Sequence, residues 1–157
     1  MSDAQSLYDS PQMTRLRWGM RISGAVLSVF FAGAALAVIL KQNAIIDESS
    51  VPLGKLLAWT TGGGNAYLLM LATVYIVWGI YIWLAASDPV KNQLFMDFTI
   101  IANIAHPSVM AAMAIVNPTH TMHLLGDVPF GLSVGLILAI LWLPVRRQAD
   151  AISSATH

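Results

Sequence analysis

The stretch DFTIIANIAHP, residues 97–107, decides how the chain is interpreted, because it places four residues that lipid disfavours inside a long apolar run. These four are Asp97, Asn103, His106 and Pro107. An ionisable side chain inside a membrane usually faces the interior of a helix bundle or a functional site. A proline inside a helix removes one backbone hydrogen bond and displaces the carbonyl four residues earlier. The stretch therefore raises the question of whether these residues build the fold or a site.

The composition is that of an integral membrane protein. Hydrophobic residues make up 57% of the 157 residues and charged residues only 10%, whereas about a quarter of the residues in a soluble domain are charged. The mean hydropathy is +0.67. The net charge is zero, so no basic field would attract nucleic acid. The chain has no cysteine, which excludes disulfides, thiolate metal ligands and cysteine nucleophiles.

Four nearly charge-free stretches predict four transmembrane helices, since about 20 apolar residues cross the hydrocarbon core. They cover residues 17–41, 66–86, 93–116 and 128–145. Helices are expected because lipid offers no hydrogen-bond partner to an open backbone. Within the first stretch, the apolar run over residues 22–40 has 19 residues. This is longer than the apolar core of about 7–15 residues in a secretory signal peptide, so we interpret it as a retained span. The predicted fold class is an all-α polytopic membrane protein with a single domain over residues 1–157.

The distribution of basic residues predicts that the N- and C-termini are both cytoplasmic. On the side of the termini lie Arg15, Arg17, Arg21, Lys91, Arg146 and Arg147. Only Lys41 and Lys55 fall in the other two connections. Loops on the cytoplasmic side of a membrane carry an excess of Lys and Arg, which gives the predicted orientation.

Small residues recur at four-residue spacing in the first and last spans. Such a pattern lets helix backbones approach closely. The residues concerned are Gly24, Ser28 and Ala32 in the first span, and Gly131, Gly135 and Ala139 in the last. The pattern suits packing within one chain and self-association between chains alike.

The polar residues of the third span fall into two groups. A helix turns about 100° per residue, so Thr99, Asn103 and His106 share one stripe, whereas Asp97 lies about half a turn away from it. His106 is predicted near the middle of the membrane and Asp97 nearer its cytoplasmic side. We take these four residues as the candidate ligand-binding residues.

Each of these residues also has an interpretation that needs no ligand. Asp97 would pair with Arg21, which enters the first span at a similar depth. His106 or Asn103 would satisfy the backbone carbonyl that Pro107 frees. On the functional interpretation, His106 instead lines a polar pocket as a ligand or a proton carrier, because histidine titrates near neutral pH.

His120, His123 and Asp127 follow the third span at helical spacing. Imidazole and carboxylate groups so spaced are candidate ligands for a Zn, Fe or Cu ion. The alternative is a loop that closes the bundle, with Asp127 capping the last span. A bis-histidine haem is disfavoured, because His106 and the two outer histidines lie at different depths.

Residues 78–129 resemble a family of small bacterial membrane proteins that have four helices and no established activity. The residues that carry the resemblance are Trp78, Gly79, Asp88, Pro89, Asp97, Phe98, Asn103, Ala105, His106, His123, Gly126, Asp127 and Pro129. The resemblance implies the fold, a polar site and a multi-pass location in the bacterial inner (cytoplasmic) membrane. It implies no reaction and leaves open whether the chain is an enzyme.

Two hypotheses about function follow. In the first, the chain is a non-enzymatic homo-oligomer or a subunit of a membrane complex, whose intramembrane polar residues organise helix packing. In the second, it binds a ligand, a proton or a metal ion at the third span and the outer histidines, with a metal-dependent oxidoreductase as the enzymatic form. In both hypotheses the partners are the lipid bilayer and other membrane-embedded subunits.

Overall fold

The computed structural model describes residues 3–40 and 64–155, and over those residues every regular element is helical. The α-helices are α1 (Asp3–Tyr8), α2 (Pro11–Ile39), α3 (Gly64–Ala85), α4 (Gln93–Val116) and α5 (Asp127–Ala155), and a 3₁₀ helix covers Pro118–Leu125. Helices α2 to α5 are each long and apolar enough to cross a membrane. The predicted all-α fold with four candidate spans is therefore confirmed. Lys41 and Lys55 lie outside the described residues.

The first long helix begins earlier than predicted, at Pro11 instead of residue 17. Ser10 has extended backbone angles, and its hydroxyl accepts a hydrogen bond of 3.1 Å from the Met13 amide. Pro11 occupies the first helical position, where a proline costs nothing because its missing N–H would be unpaired in any case. A polar cap and a proline thus define this helix start, which hydropathy alone did not locate.

The ends of the chain extend the bundle beyond the apolar runs. Helix α1 was not predicted, and α5 continues ten residues past the predicted end at residue 145. Leu7 is buried, while Ala149 and Ile152 pack against the same core. The Gln148 side chain also donates a 2.9 Å hydrogen bond to Gln12. Helix α1 and the C-terminal end of α5 therefore lie at one end of the bundle, which we call the termini end.

The bundle consists of two helix pairs. Helix α2 packs most extensively on α3, and α4 packs most extensively on α5; contacts between α2 and α5 join the pairs. The central core lies between these pairs and extends to the termini end. Its fully buried members include Met13, Leu16, Met20, Ile82, Met96, Leu138, Trp142 and Val145.

Close backbone approach characterises the seam between α2 and α3. A Cβ atom added at Gly79 would lie 2.5 Å from the Gly24 carbonyl oxygen and would also clash with Ser28. The Ser28 hydroxyl donates a 3.0 Å hydrogen bond across the seam to the Ile76 carbonyl. Of the two kinds of packing that the small residues suited, Gly24 and Ser28 show packing within the chain. Ala32 lies apart, because it is exposed.

Candidate functional site

Asp97, in the second turn of α4, is held by two residues of α5. One carboxylate oxygen accepts a 2.7 Å hydrogen bond from Trp142 Nε1, and the other accepts from Arg146, with which Asp97 forms an ion pair. The predicted pair with Arg21 is wrong, because α4 packs on α5 and so meets the guanidinium that α5 supplies. Arg21 lies over the Trp18 ring instead, with its guanidinium carbon 5.8 Å from the ring centroid.

The two contacts of Asp97 differ in what they contribute. Trp142 is completely buried, so its N–H would cost about 1–3 kcal/mol if it lost its acceptor. The side chains of Asp97 and Arg146 are 34% and 29% exposed, and partly solvated ion pairs contribute little. Arg146 also donates to Asp150 at 3.1 Å. The hydrogen bond to Trp142 is therefore the stronger reason for Asp97 to be at this position.

Thr99 and Asn103 are both buried, at 0% and 2% exposure. Thr99 Oγ1 accepts a 3.0 Å hydrogen bond from Trp78 Nε1 of α3. Asn103 Nδ2 donates to the Thr99 carbonyl one turn earlier, at 2.9 Å. Two of the candidate ligand-binding residues thus make hydrogen bonds to the protein itself, and the threonine joins α4 to α3.

The carbonyl that Pro107 frees lies against a glycine of the neighbouring helix. A Cβ at Gly135 would be 3.0 Å from the carbonyl carbon and oxygen of Asn103, and a Cβ at Gly131 would be 3.2 Å from Pro107. The segment of α4 that lacks a normal backbone hydrogen bond is therefore packed closely on α5. Helix α4 continues through Pro107 without interruption.

His106 is half-buried and faces α3, where its ring centroid is 5.9 Å from that of Tyr75. Tyr75 belongs to a ladder of aromatic contacts that crosses all four long helices, with successive centroids 4.4–5.4 Å apart. In order, the ladder contains Phe130, Phe30, Phe31, Tyr75, Trp78 and Phe98. Asp97 therefore contacts α5, whereas His106 contacts α3.

The histidines beyond α4 form a small group. His123 is fully buried, and its Nδ1 is 3.1 Å from Asp127 Oδ1 and 3.2 Å from Oδ2. The ring centroid of His120 lies 5.8 Å from that of His123. Over residues 3–40 and 64–155, no three His, Asp or Glu side chains are grouped so that they could hold a metal ion. The metal site at His120, His123 and Asp127 stays a prediction.

A shallow groove of about 470 Å³ lies at the end of the bundle opposite the termini end. It is lined by Val109, Ala112, Met113, Val116, Asn117 and His120. Its lining is mainly apolar and does not include His106.

A polar group at the termini end was missed by the sequence analysis. The Tyr8 hydroxyl of α1 donates a 2.9 Å hydrogen bond to Asp88 Oδ1, which also accepts from the Lys91 amide at 3.1 Å. Burial and the Asp88 carboxylate raise the pKa of the Tyr8 hydroxyl, so it remains a donor. The guanidinium carbon of Arg17 lies 5.7 Å from the centroid of the Tyr8 ring. Without a prediction of α1, no sequence signal linked these residues.

These features define the class of protein: over the described residues it is all-helical, with four helices that can cross a membrane, and α4 accepts interhelical hydrogen bonds from α3 and α5. A model described as a family of unknown function, DUF6632, matches residues 27–154. The chain therefore belongs to the DUF6632 family. The match reaches further than residues 78–129, on which the resemblance rested, and takes in the C-terminal part of α2 and nearly all of α5. Comparison with curated proteins gives no match, and neither does comparison with solved structures.

Proposed function

We propose that this protein is a non-enzymatic integral membrane subunit, and that the intramembrane polar residues of α4 organise the packing of its helices. The observation that carries the proposal is where these residues make their hydrogen bonds. Asp97 accepts from Trp142 of α5, and Thr99 accepts from Trp78 of α3. Helix α4 thus bonds to α5 through Asp97 and to α3 through Thr99.

Physical chemistry supports this role. In the membrane, apolar surface gives no drive for helices to associate, so packing and interhelical hydrogen bonds hold a bundle together. The acceptor of each bond is on α4 and each donor is an indole N–H, a group that can only donate. An indole that lost its acceptor in this environment would be destabilising. The residue types at 97 and 99 therefore suit the neighbours that they contact.

The test compares two hydroxyl groups of the same helix. Thr99→Val removes the acceptor of Trp78 with little change of shape, whereas Ser108→Ala removes an exposed hydroxyl that donates only to the Ile104 carbonyl of its own helix. Unfolding of the full-length protein in mixed micelles should show a loss of about 1 kcal/mol for Thr99→Val. Ser108→Ala should be close to wild type. Equal effects from the two changes would refute the packing role.

The proposal includes an assembly and a location. The protein would be one membrane domain, with cytoplasmic termini in the inner membrane of a bacterium, and would form a homo-oligomer or associate with partner subunits. The chain has no cysteine, so a single cysteine introduced at Ser154 would report which side of the membrane it occupies. Labelling only from the cytoplasmic side is expected.

Mass photometry in nanodiscs should give more than one copy or a co-purified subunit; a bare monomer would contradict the assembly.

A second candidate function is binding of a Zn, Cu or Fe ion near His123. The supporting observation is the contact between His123 Nδ1 and Asp127, because a carboxylate on one imidazole nitrogen is the usual support for a metal-binding histidine. His120 would supply a further ligand. In this arrangement Asp127 would orient His123 without binding the metal itself.

Metal analysis of the purified protein separates the two candidates. The packing proposal predicts no stoichiometric metal after growth with added Zn, Cu and Fe. One metal ion per chain that is lost in His123→Gln, but kept in the control His106→Gln, would favour the second candidate. Retention of metal in both variants would place any metal elsewhere.

A further inference from the structure

We infer that Arg17 and Arg21 of α2 form a binding site for the phosphate of an anionic lipid headgroup, with Trp18 beside it. The site lies at the termini end, on the side of α2 that also carries the contact with α1. It is independent of the packing role proposed for α4, because none of its residues touches Asp97 or Thr99.

The first observation is the distribution of charge. All basic residues in the described part of the chain are at the termini end, namely Arg15, Arg17, Arg21, Lys91, Arg146 and Arg147. A basic cluster where helices enter the membrane attracts anionic lipid, at about 1 kcal/mol per Lys or Arg near the surface. This attraction explains why anionic lipid would bind at the termini end of the bundle. The contacts of Arg17 and Arg21 distinguish these two residues from the other basic residues there.

Arg17 and Arg21 differ from Arg146 in what they contact. Arg146 lies between two carboxylates, those of Asp97 and Asp150. Arg17 and Arg21 each lie over an aromatic ring instead, and neither forms an ion pair with a carboxylate among the residues described. Their guanidinium groups are thus positioned by the protein but not neutralised by it.

Arg17 also carries a buried donor that the described chain leaves without an acceptor. Its Nε is shielded from solvent and makes no hydrogen bond within residues 3–40 and 64–155. Buried donors are almost always paired in folded proteins. Asp88, the carboxylate that bonds to Tyr8, already accepts from the Tyr8 hydroxyl and the Lys91 amide. An acceptor from outside the chain would satisfy the Arg17 guanidinium.

The geometry suits a phosphate in the headgroup layer. Arg17 and Arg21 are one helical turn apart on the same face, about 6 Å between Cβ atoms, so both reach a single anion. A guanidinium presents a planar fork that matches phosphate oxygens. Trp18 lies beside them and is 59% exposed, as expected of a tryptophan at the membrane interface. These features together favour a lipid over a soluble anion.

The experiment measures lipid retention by native mass spectrometry of the full-length protein. The protein is released from nanodiscs that contain equal amounts of phosphatidylglycerol and phosphatidylcholine. We expect wild type to retain one phosphatidylglycerol in preference to phosphatidylcholine, and 10 mM inorganic phosphate not to displace it. Displacement by inorganic phosphate would show a free-anion site and would overturn the lipid assignment. Equal retention of both lipids would overturn the proposal altogether.

Two double variants of equal charge locate the site. Arg17→Gln with Arg21→Gln should weaken phosphatidylglycerol binding roughly 300-fold, since it removes the general attraction of about fivefold per basic residue and also the charge-assisted hydrogen bonds to the phosphate. Arg15→Gln with Arg147→Gln removes the same charge at exposed positions, loses only the general attraction, and should weaken binding about 30-fold or less. Equal losses in both would show diffuse attraction and refute a site at Arg17 and Arg21.

A measurement on wild type keeps the test decisive if the first double variant fails to fold. Short-chain phosphatidylglycerol added to wild type in detergent should raise the melting temperature, and short-chain phosphatidylcholine at the same concentration should not. Arg17→Lys with Arg21→Lys keeps the charge but loses the planar fork, and should show a smaller rise. Equal rises for both lipids in wild type would contradict the proposal.

Discussion

The two long seams of the bundle are built differently. In the seam between α2 and α3, glycines let backbone meet backbone: Gly24 and Gly79 face each other, and a Cβ at either would clash with the opposite main chain. In the seam between α4 and α5, a polar side chain, Asp97, bonds to the Trp142 indole and Arg146. The first seam depends on the absence of side chains, and the second depends on a specific donor and acceptor.

The difference shows which changes each seam tolerates. A seam of glycines has no hydrogen bond to lose at those positions, so it fails only when volume is added. A seam of hydrogen bonds keeps its spacing under a conservative change, but it fails when an acceptor is removed from a buried donor. The first three predictions each alter one seam in a way that should leave the other intact, and the fourth alters a contact outside both seams.

The largest effect is expected for Gly79→Ala. The new methyl group would lie 2.5 Å from the Gly24 carbonyl oxygen, so the two helices would have to move apart, at a cost of about 3 kcal/mol. The control is Gly33→Ala on α2, where an added Cβ meets nothing within 4 Å. Unfolding in mixed micelles checks both variants. A Gly79→Ala variant as stable as the control would contradict the close approach of α2 and α3.

The next largest effect is expected for Asp97→Ala, at about 2 kcal/mol, because it leaves the buried Trp142 N–H without an acceptor. Asp97→Asn keeps an oxygen for Trp142 but removes the charge that faces Arg146, and should recover most of the loss. The same unfolding measurement applies. If Asp97→Asn were as damaging as Asp97→Ala, the ion pair would be the main contribution of Asp97 and our assignment would be wrong.

A smaller effect is expected for Gly135→Ala in the seam between α4 and α5. Its Cβ would approach the Asn103 carbonyl at 3.0 Å and Ile104 Cγ1 at 2.9 Å. These distances are longer than the 2.5 Å between a Cβ at Gly79 and the Gly24 carbonyl oxygen, so the helices need to move less and the expected loss is about 1 kcal/mol. Side-by-side melting curves of the two glycine variants check the order. A larger loss at Gly135 than at Gly79 would reverse the comparison between the seams.

The smallest effect is expected for Tyr8→Phe, about 0.5 kcal/mol, which removes one hydrogen bond to Asp88 at the edge of the bundle. Both long seams are unaffected by this change. Limited proteolysis should show faster cleavage near α1 and unchanged cleavage between α4 and α5. Thr14→Val is a suitable control, because the 3.3 Å bond from its hydroxyl to the Ser10 carbonyl is exposed and lies within one segment. Equal cleavage of both variants would show that Tyr8 does not anchor α1.

Hydropathy predicted the four spans because burial in lipid selects long apolar runs whatever their partners are. The bounds of α4 were predicted to the residue, at 93 and 116. The partner of Asp97 could not be predicted in the same way, because it depends on which helices pack together. Arg21 and Arg146 are equally plausible in sequence, and only the packing of α4 on α5 selects Arg146.

The role of the polar stripe was also only partly accessible from the sequence. Periodicity placed Thr99, Asn103 and His106 on one face, and two of them do meet the same helix: Thr99 bonds to Trp78 and His106 lies beside Tyr75, both on α3. Which helix this face would meet could not be predicted from periodicity. Helix α1 and the extension of α5 were missed because they are not apolar runs. Their core positions, such as the buried Leu7 and the partly buried Ile152, can be recognised only once the helices are assembled.

A double-mutant cycle between Asp97 and Trp142 tests the central claim most directly. Unfolding free energies of wild type, Asp97→Ala, Trp142→Phe and the double variant give the coupling energy, in which the loss of indole volume cancels. If the polar residues of α4 organise packing, the coupling should be about 1 kcal/mol and favourable. A coupling near zero, with each variant still folded, would contradict the account.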